Sequence, residues 1–594
     1  MNPKAKTLCE ISWEVVNKVG GINTVLKTKA EVINRYYPHY YLIGPYFEQN
    51  FRLEVTPEPL PHKFLPIAYD LEKNYGIKIF YGTWEIKGKP KVILIDFQKL
   101  FSIKNEIKTN LWNWFKVDSL FSKYEFDEPV VWSYSVGLFL EGLSKTINEY
   151  IIAHFHEWLS GGGLLYLKHR KVPNIATVFT THSTVLGRTI AGNNLDLYNV
   201  IDKINPEEYA KKFNVIDKHS MELACAQNAD IFTTVSEITA QEAETLLRRK
   251  PEVLLYNGID LLRYPTFEEI SVKHTKYREE IREFLKIYFY PYYFFDLKES
   301  LTFFTSARYE YRNKGLDILI KSLGQLNRIL IEKNIPKHII CFFFIPRENQ
   351  GIKPSIIEAK TRYKKVKNFV TEYINEIQKN LIDEILAGNQ PTIEALLPEE
   401  LKENIRVLFL KFKQEGLPPL TTNVFDEEND PIIQGFKENN LLNRQEDKVK
   451  VIFYPLYLTG FDGLLDLRYY DAVLGTHLGI FPSYYEPWGY TPVETLVLGV
   501  PSITSDLAGF GQYMEDKIIG SYPGLWILRR KGKSDEEVVN DLTNLLLQYS
   551  LKKRHERVLH KMDAKALAEF SDWNRLIEKY IESHNLALRK IIEK

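Results

Sequence analysis

The chain has 594 residues, 44% apolar, 26% charged and 13% aromatic, with 77 Lys and Arg against 77 Asp and Glu. That length exceeds what one hydrophobic core supports and implies two large domains, while the balanced charge excludes the electrostatic signature of a nucleic-acid or membrane partner. Cys9, Cys225 and Cys341 stand in no paired motif, excluding a disulfide framework or cysteine zinc site; no run of about 18 apolar residues offers a membrane span, so a reduced, cytoplasmic protein is expected.

Thr7–Trp13 reads as a buried strand, followed by a loop through Gly20-Gly21 and a helix from Ile22 to about Tyr36. Strand, Gly-Gly turn and helix let backbone N–H groups approach a phosphate, with Lys18 adding charge, although a plain tight turn fits the same residues. Ile151–Phe155 is a second strand, ending in His154-Phe155-His156-Glu157-Trp158. His154 and His156 share one strand face, but no third ligand is evident, so no metal is expected. Pro173–Thr181 is a third strand, leading to His182 and, six residues on, Arg188, whose guanidinium fork suits phosphate oxygens. Asp230–Val235 is a further strand, and Tyr256-Asn257-Gly258 is a turn that closes this half.

Leu301–Ser306 opens a second half, which places a boundary between residues 260 and 300. Arg308 and Lys314 follow six apart at the strand end; they can reach one diphosphate together, or form an ordinary solvated loop. Apolar residues from Val366 to Ile385 recur at helical spacing, so residues 355–387 read as one helix of roughly 45 Å, with a second helix over 398–412. Val473–Phe481 reads as a strand ending at Pro482, before an aromatic loop carrying Glu486. Thr491 then reads as an N-cap, Pro492 as the first helical residue, Glu494 as the third, and Gly499 as lying past the end. The same residues fit a capping box, in which Glu494 only bonds the Thr491 N–H. Lys553, Arg557, Lys561 and Lys565 recur every four residues and form one basic helical stripe, solvated unless it has a ligand.

Glu486 and Glu494, eight apart around Gly489-Tyr490-Thr491, resemble the signature of retaining nucleotide-sugar glycosyltransferases. The aromatic loop, with Trp13–Ile22, Thr180–Arg188 and Arg308–Lys314 in the same order, resembles the eukaryotic-type glycogen synthases, glycosyltransferase family three. The resemblance runs from Glu10 to about Tyr580. It implies an α/β fold of two Rossmann-like doubly wound domains facing a cleft (GT-B). Residues 1–262 would form the acceptor-side domain, with a helix over 573–594 packing back on it. Residues 263–572 would bind the nucleotide sugar and carry a helical insertion, about 355–415, that joins subunits into a homo-oligomer, a tetramer; 267–289 would belong to the same assembly.

The implied reaction moves glucose from UDP-glucose to the non-reducing end of an α-1,4-glucan (glycogen), with no metal or other cofactor. The implied catalytic residues are Glu486, His182, Arg308 and Lys314. Donor contacts would come from Lys18, Gly21, Arg188, Asn257, Tyr469, Trp488, Gly489, Tyr490, Thr491 and Glu494, and an acceptor-side contact from Glu157. Two departures stand out. Asn23 occupies a position that is usually Tyr in the family. The C-terminal stripe has only Arg554 and Arg557 where eukaryotic members carry a dense arginine cluster that senses glucose 6-phosphate, and Asp563 and Ala566 fall at basic positions. Whether Lys553, Arg557 and Lys561 sense that effector is left open. An ADP-glucose-dependent synthase and a catalytically retired glucan- or sugar-phosphate-binding protein are the alternatives.

Overall fold

Strands such as Ile339-Ile-Cys-Phe-Phe-Phe344 are apolar on both faces, a pattern that only a sheet covered on both sides can bury. The computed structural model, which describes residues 2–593, shows two such sheets. The first contains β1 (Thr7–Ile11), β2 (His39–Pro45), β3 (Val55–Pro57), β4 (Lys78–Trp84), β5 (Lys91–Asp96), β6 (Ile151–His156), β7 (Ile175–Thr181), β8 (Ile231–Thr234) and β9 (Val253–Leu254). Its order is β3-β4-β5-β2-β1-β6-β7-β8-β9, and pairing is parallel except where β4 runs against β3 and β5. The second contains β10 (Leu301–Ser306), β11 (Ile339–Phe344), β12 (Val449–Tyr454), β13 (Leu478–Phe481), β14 (Ser502–Ser505) and β15 (Leu525–Leu528). Its order, β12-β11-β10-β13-β14-β15, is the doubly wound Rossmann arrangement.

In each sheet the parallel crossovers leave in opposite directions at a switch point, between β1 and β6 and between β10 and β13. Crossovers leave a crevice at the carboxyl ends of the strands there. The two crevices face each other, and helix Trp573–Ile592 returns from the second half to pack on β7, β8 and β9. That return is anchored by Trp573, whose indole N–H donates to Thr28 at 2.8 Å. No helix among the described residues is long and apolar enough to cross a membrane.

Several local expectations change. The insertion is not one long helix but two, Pro354–Glu372 and Ile374–Leu386, interrupted at Tyr373. Val473 and Leu474 end helix Tyr469–Leu474, and only Leu478–Phe481 is strand, because an apolar run does not by itself separate a buried helix turn from a strand. Helix Phe267–Phe289 packs Ile281, Phe284, Leu285 and Tyr288 into the core on one face of the second sheet.

Candidate active site

The two crevices join in a cavity of about 630 Å³ lined by residues from both sheets. On its first wall, the loop after β1 is stapled by Glu14, whose Oε2 accepts from the N–H groups of Gly20 (2.8 Å) and Asn23 (2.9 Å). The Asn23 side chain donates to the Glu14 carbonyl at 2.8 Å, so the unusual residue at this position closes the loop. Gly21 caps helix Ile22–Asn34 at the cavity, and a Cβ there would meet nothing within 4 Å. Lys18 lies outside this lining. The Glu14 staple turns the loop inward and leaves Lys18 exposed, where its field falls on Glu54.

Glu157, just past β6, has φ 64° and ψ 163°, a region that is essentially glycine-only and costs about 1–3 kcal/mol. Its own N–H donates to the Thr180 carbonyl at 2.9 Å. Its Oε1 accepts from the backbone N–H groups of His182 (2.9 Å) and Ser183 (3.3 Å). Burial pushes its carboxyl up to about 7 against the pull of Arg188. Glu157 thus shapes the His182 turn as well as lining the cavity. Arg188 reaches the same space from helix Val185–Gly192, and Asn257 presents a buried Oδ1 with no hydrogen-bond partner among the described residues.

On the second wall, Lys314 and Glu486 form an ion pair at 2.5 Å, joining the loops after β10 and β13. Gly315 makes this possible: at φ 67° it lies so close to Pro482 that a Cβ would fall 1.9 Å from that carbonyl oxygen. Arg308 lines the cavity with its side chain 68% exposed, paired to Glu310 at 3.0 Å. Helix Tyr490–Val497 begins after Gly489 (φ 108°), and no side chain caps it. Its first-turn N–H groups therefore point their partial positive charge into the cavity. Trp488 is held below by Tyr256, Phe510 and Tyr513.

The start of that helix corrects the sequence reading. Thr491 is its second residue rather than its cap, and no capping box forms. A left-handed Gly489 can open the helix two residues earlier than the Thr-Pro pattern implies. Glu494 sits outside the lining and accepts from the Tyr470 hydroxyl at 2.8 Å, with burial pushing its carboxyl up to about 7. Tyr469 also stays out of the lining and packs against the core beneath the second sheet. Of the expected residues, the cavity gathers Gly21, Glu157, His182, Arg188, Asn257, Arg308, Lys314, Glu486, Trp488, Gly489, Tyr490 and Thr491. Glu14 and Tyr470 went unassigned in the sequence. A carboxylate six residues before Gly20 is a signal for the first; Tyr470 has none beyond adjacency to Tyr469.

The Glu486 loop is also tied to the first half. Tyr484 donates to Asp196 (2.7 Å), Tyr485 to Glu242 (3.3 Å) and Ser236 to the Pro487 carbonyl (2.6 Å). A separate cationic cluster lies on helix Arg554–Ala568. Lys561 contacts His274 at 2.6 Å, and Arg278 is pushed down to about 10 by burial and by the charges of Arg282, Arg557 and Arg554. The stripe is therefore not a solvated face. Lys565 donates to the Pro265 and Val497 carbonyls, while Lys553 precedes the helix and remains exposed.

Two doubly wound sheets facing across such a cleft define the GT-B architecture. The solved catalytic domain of starch synthase IV from Arabidopsis thaliana, bound to ADP and acarbose, shares this fold with TM-score 0.52, covering 99% of this chain and 100% of that one at 14% identity. A sequence profile described as glycogen synthase matches residues 10–594. The chain is 36% identical to glycogen [starch] synthase isoform 2 of Saccharomyces cerevisiae, covering 98% of this chain and 86% of the relative. It is 34% identical to the human liver glycogen [starch] synthase, over 98% of this chain and 83% of the relative. The chain belongs to the glycogen synthase family, and it is a glycosyltransferase.

Proposed function

We propose that the cleft transfers glucose from UDP-glucose to the 4-hydroxyl at the non-reducing end of an α-1,4-glucan, with retention at the anomeric carbon. The observation that carries this reading is the Lys314–Glu486 pair at 2.5 Å, inside a cavity that also receives Arg188, His182 and Asn257 from the opposite sheet. As the bond from the anomeric carbon to the diphosphate lengthens, negative charge grows on the leaving phosphate and positive charge on the ring. Arg308, Lys314, Arg188 and the N–H groups opening helix Tyr490–Val497 meet the first; the Glu486 carboxylate meets the second. Asn257 offers its unpartnered oxygen to a sugar hydroxyl, and His182 lies beneath the donor glucose. These groups supply the charge stabilisation without a metal ion or other cofactor. Closure of the two halves excludes water.

The cationic cluster of Arg278, Arg282, Arg554, Arg557 and Lys561 is a second anion site, suited to the phosphate of glucose 6-phosphate. Exposed Ile382, Ile385, Leu386, Ile405, Phe409 and Leu410 on the insertion form the surface through which the chain assembles as a homo-oligomer, a tetramer in this reading. The protein works in the cytoplasm on glycogen.

The test is glucose incorporation into glycogen from UDP-glucose and ADP-glucose side by side, with and without glucose 6-phosphate. Preference for UDP-glucose is expected. Preference for ADP-glucose would overturn the donor assignment, and indifference to the effector would make the cationic cluster structural. Light scattering that gives a monomer mass would remove the assembly role of the insertion.

A further inference from the structure

Behind the first wall lies a set of fully buried polar groups that the proposed chemistry does not use. Glu10 on β1 and His154 and His156 on β6 bring their ligand atoms within 4.8 Å of one another, which supplies the third group that the sequence did not reveal beside the two histidines. The site already holds a cation, however. The Lys29 ammonium bonds Glu10 Oε1, and Tyr40 donates to Glu10 Oε2 at 2.6 Å. A metal at this place would have to displace a buried ammonium. Instead, the group leads to the cavity: His156 Nε2 lies 2.8 Å from Glu10 Oε1, and His156 Nδ1 lies 2.9 Å from His182 Nε2.

The donor and acceptor inventory leaves one proton arrangement for this chain. Burial pushes the Glu10 carboxyl up, but Lys29 and the His156 hydrogen bond overcome it and hold the group well below the usual carboxylate range. An ionised carboxylate only accepts, so His156 Nε2 carries the proton. Burial pushes His156 down from its ordinary value, and the imidazole is neutral, which leaves its Nδ1 a bare acceptor. The proton between the two rings therefore belongs to His182 Nε2. Burial, with the nearby His156 and Lys29, pushes His182 well down too, so its Nδ1 has a free lone pair. His182 lines the cavity, and none of its hydrogen bonds uses Nδ1.

We propose that Glu10 and His156 are positioning residues that lock His182 in the Nε2-protonated tautomer, so that its Nδ1 accepts a hydrogen bond from a hydroxyl of the donor sugar. The inference rests on the reading of His182 beneath the donor glucose. The relay gives that wall a fixed polarity: it can accept from a sugar hydroxyl and cannot donate to a ring oxygen. Glu157 completes the setting by holding the His182 backbone N–H, which fixes the ring's position as the relay fixes its proton.

Neutron crystallography of the full chain in D₂O reads the proton positions directly. Deuterium on His182 Nε2 with bare Nδ1 is expected; deuterium on Nδ1 overturns the proposal. Kinetics test its consequence with two variants that both keep the Glu10–Lys29 pair. His156→Asn keeps an acceptor oxygen near the place of His156 Nδ1, whereas His156→Leu removes it. A fall of about 10²-fold in kcat/KM for the donor in His156→Leu, and recovery of most of it in His156→Asn, are expected. Equal activity in the two variants overturns the relay. His182→Ala separates the two levels of the argument: unimpaired transfer in that variant would remove the site reading itself, whereas impaired transfer with equal His156 variants would remove only the relay.

Discussion

The two walls of the cleft come from sheets with the same kind of parallel, doubly wound core but hold their charges differently. On the first wall, Glu10, Lys29 and His156 are wholly buried, with the ammonium and the imidazole both bonded to the Glu10 carboxylate. On the second, Arg308 is 68% exposed, and the Glu486 side chain of the Lys314 pair is 23% exposed. Arg308 stays near solvent, where an incoming diphosphate can complete it, while Lys314, only 10% exposed, is held by its pairing with Glu486. Groups that orient another residue are desolvated and paired, because an unpaired charge there costs several kcal/mol. The buried group behind the first wall is built for fixed polarity, whereas the second wall, with Arg188 from the first, is built for response to charge.

Breaking the second wall has the largest expected effect on activity. Lys314→Ala removes a cation from the leaving group and frees Glu486, so kcat should fall about 10²–10³-fold with the thermal midpoint nearly unchanged. Breaking the first wall should instead cost stability. Lys29→Met leaves the Glu10 carboxylate buried without its cation, and urea unfolding should show a loss of about 3–5 kcal/mol. The double variant Glu10→Gln/Lys29→Met should regain most of it. Both single substitutions remove a lysine from an ion pair with glutamate, so this pair of variants separates response from orientation.

A third, smaller effect sharpens the same contrast through pH. Burial pushes Glu157 up to about 7, Glu222 to about 8 and Glu242 to about 7, all from an ordinary value of 4.5. A carboxyl raised in the folded state binds its proton more tightly there than when unfolded. Its contribution is therefore complete below about 4.5 and is lost as pH rises through 7–8. The unfolding midpoint of the ligand-free protein should fall across that window, and Glu222→Gln should make the fall shallower. The smallest effect belongs to Lys18→Ala. Its side chain is exposed and outside the cavity, so transfer should stay within about twofold of the unsubstituted protein.

Much of the second wall was legible in the sequence because its parts are local. Arg308 and Lys314 share one loop, and Glu486 through Thr491 share another, so spacing alone brings them near one strand edge. The doubly wound fold was legible for a similar reason: strands buried on both faces read as unbroken apolar runs. The relay on the first wall was not legible. Glu10, Lys29, His156 and His182 come from four separate elements, and only parallel register places Glu10 opposite His154. His584 of the returning helix reaches His154 from 430 residues away, beyond any local pattern. The helix at Tyr490 was misplaced by two residues because a positive-φ glycine opened it where the Thr-Pro pair pointed to a cap. Tyr470 beside Glu494 shows the same limit: adjacency to Tyr469 does not say which ring faces the carboxylate.

The most direct test is transfer of glucose from UDP-glucose to glycogen by Arg308→Ala and Glu486→Ala, each compared with the unsubstituted protein for thermal midpoint and assembly. Loss of about 10²-fold or more in kcat in both, with midpoint and mass preserved, is the predicted result. Full activity in either variant would contradict the cleft as the site of transfer.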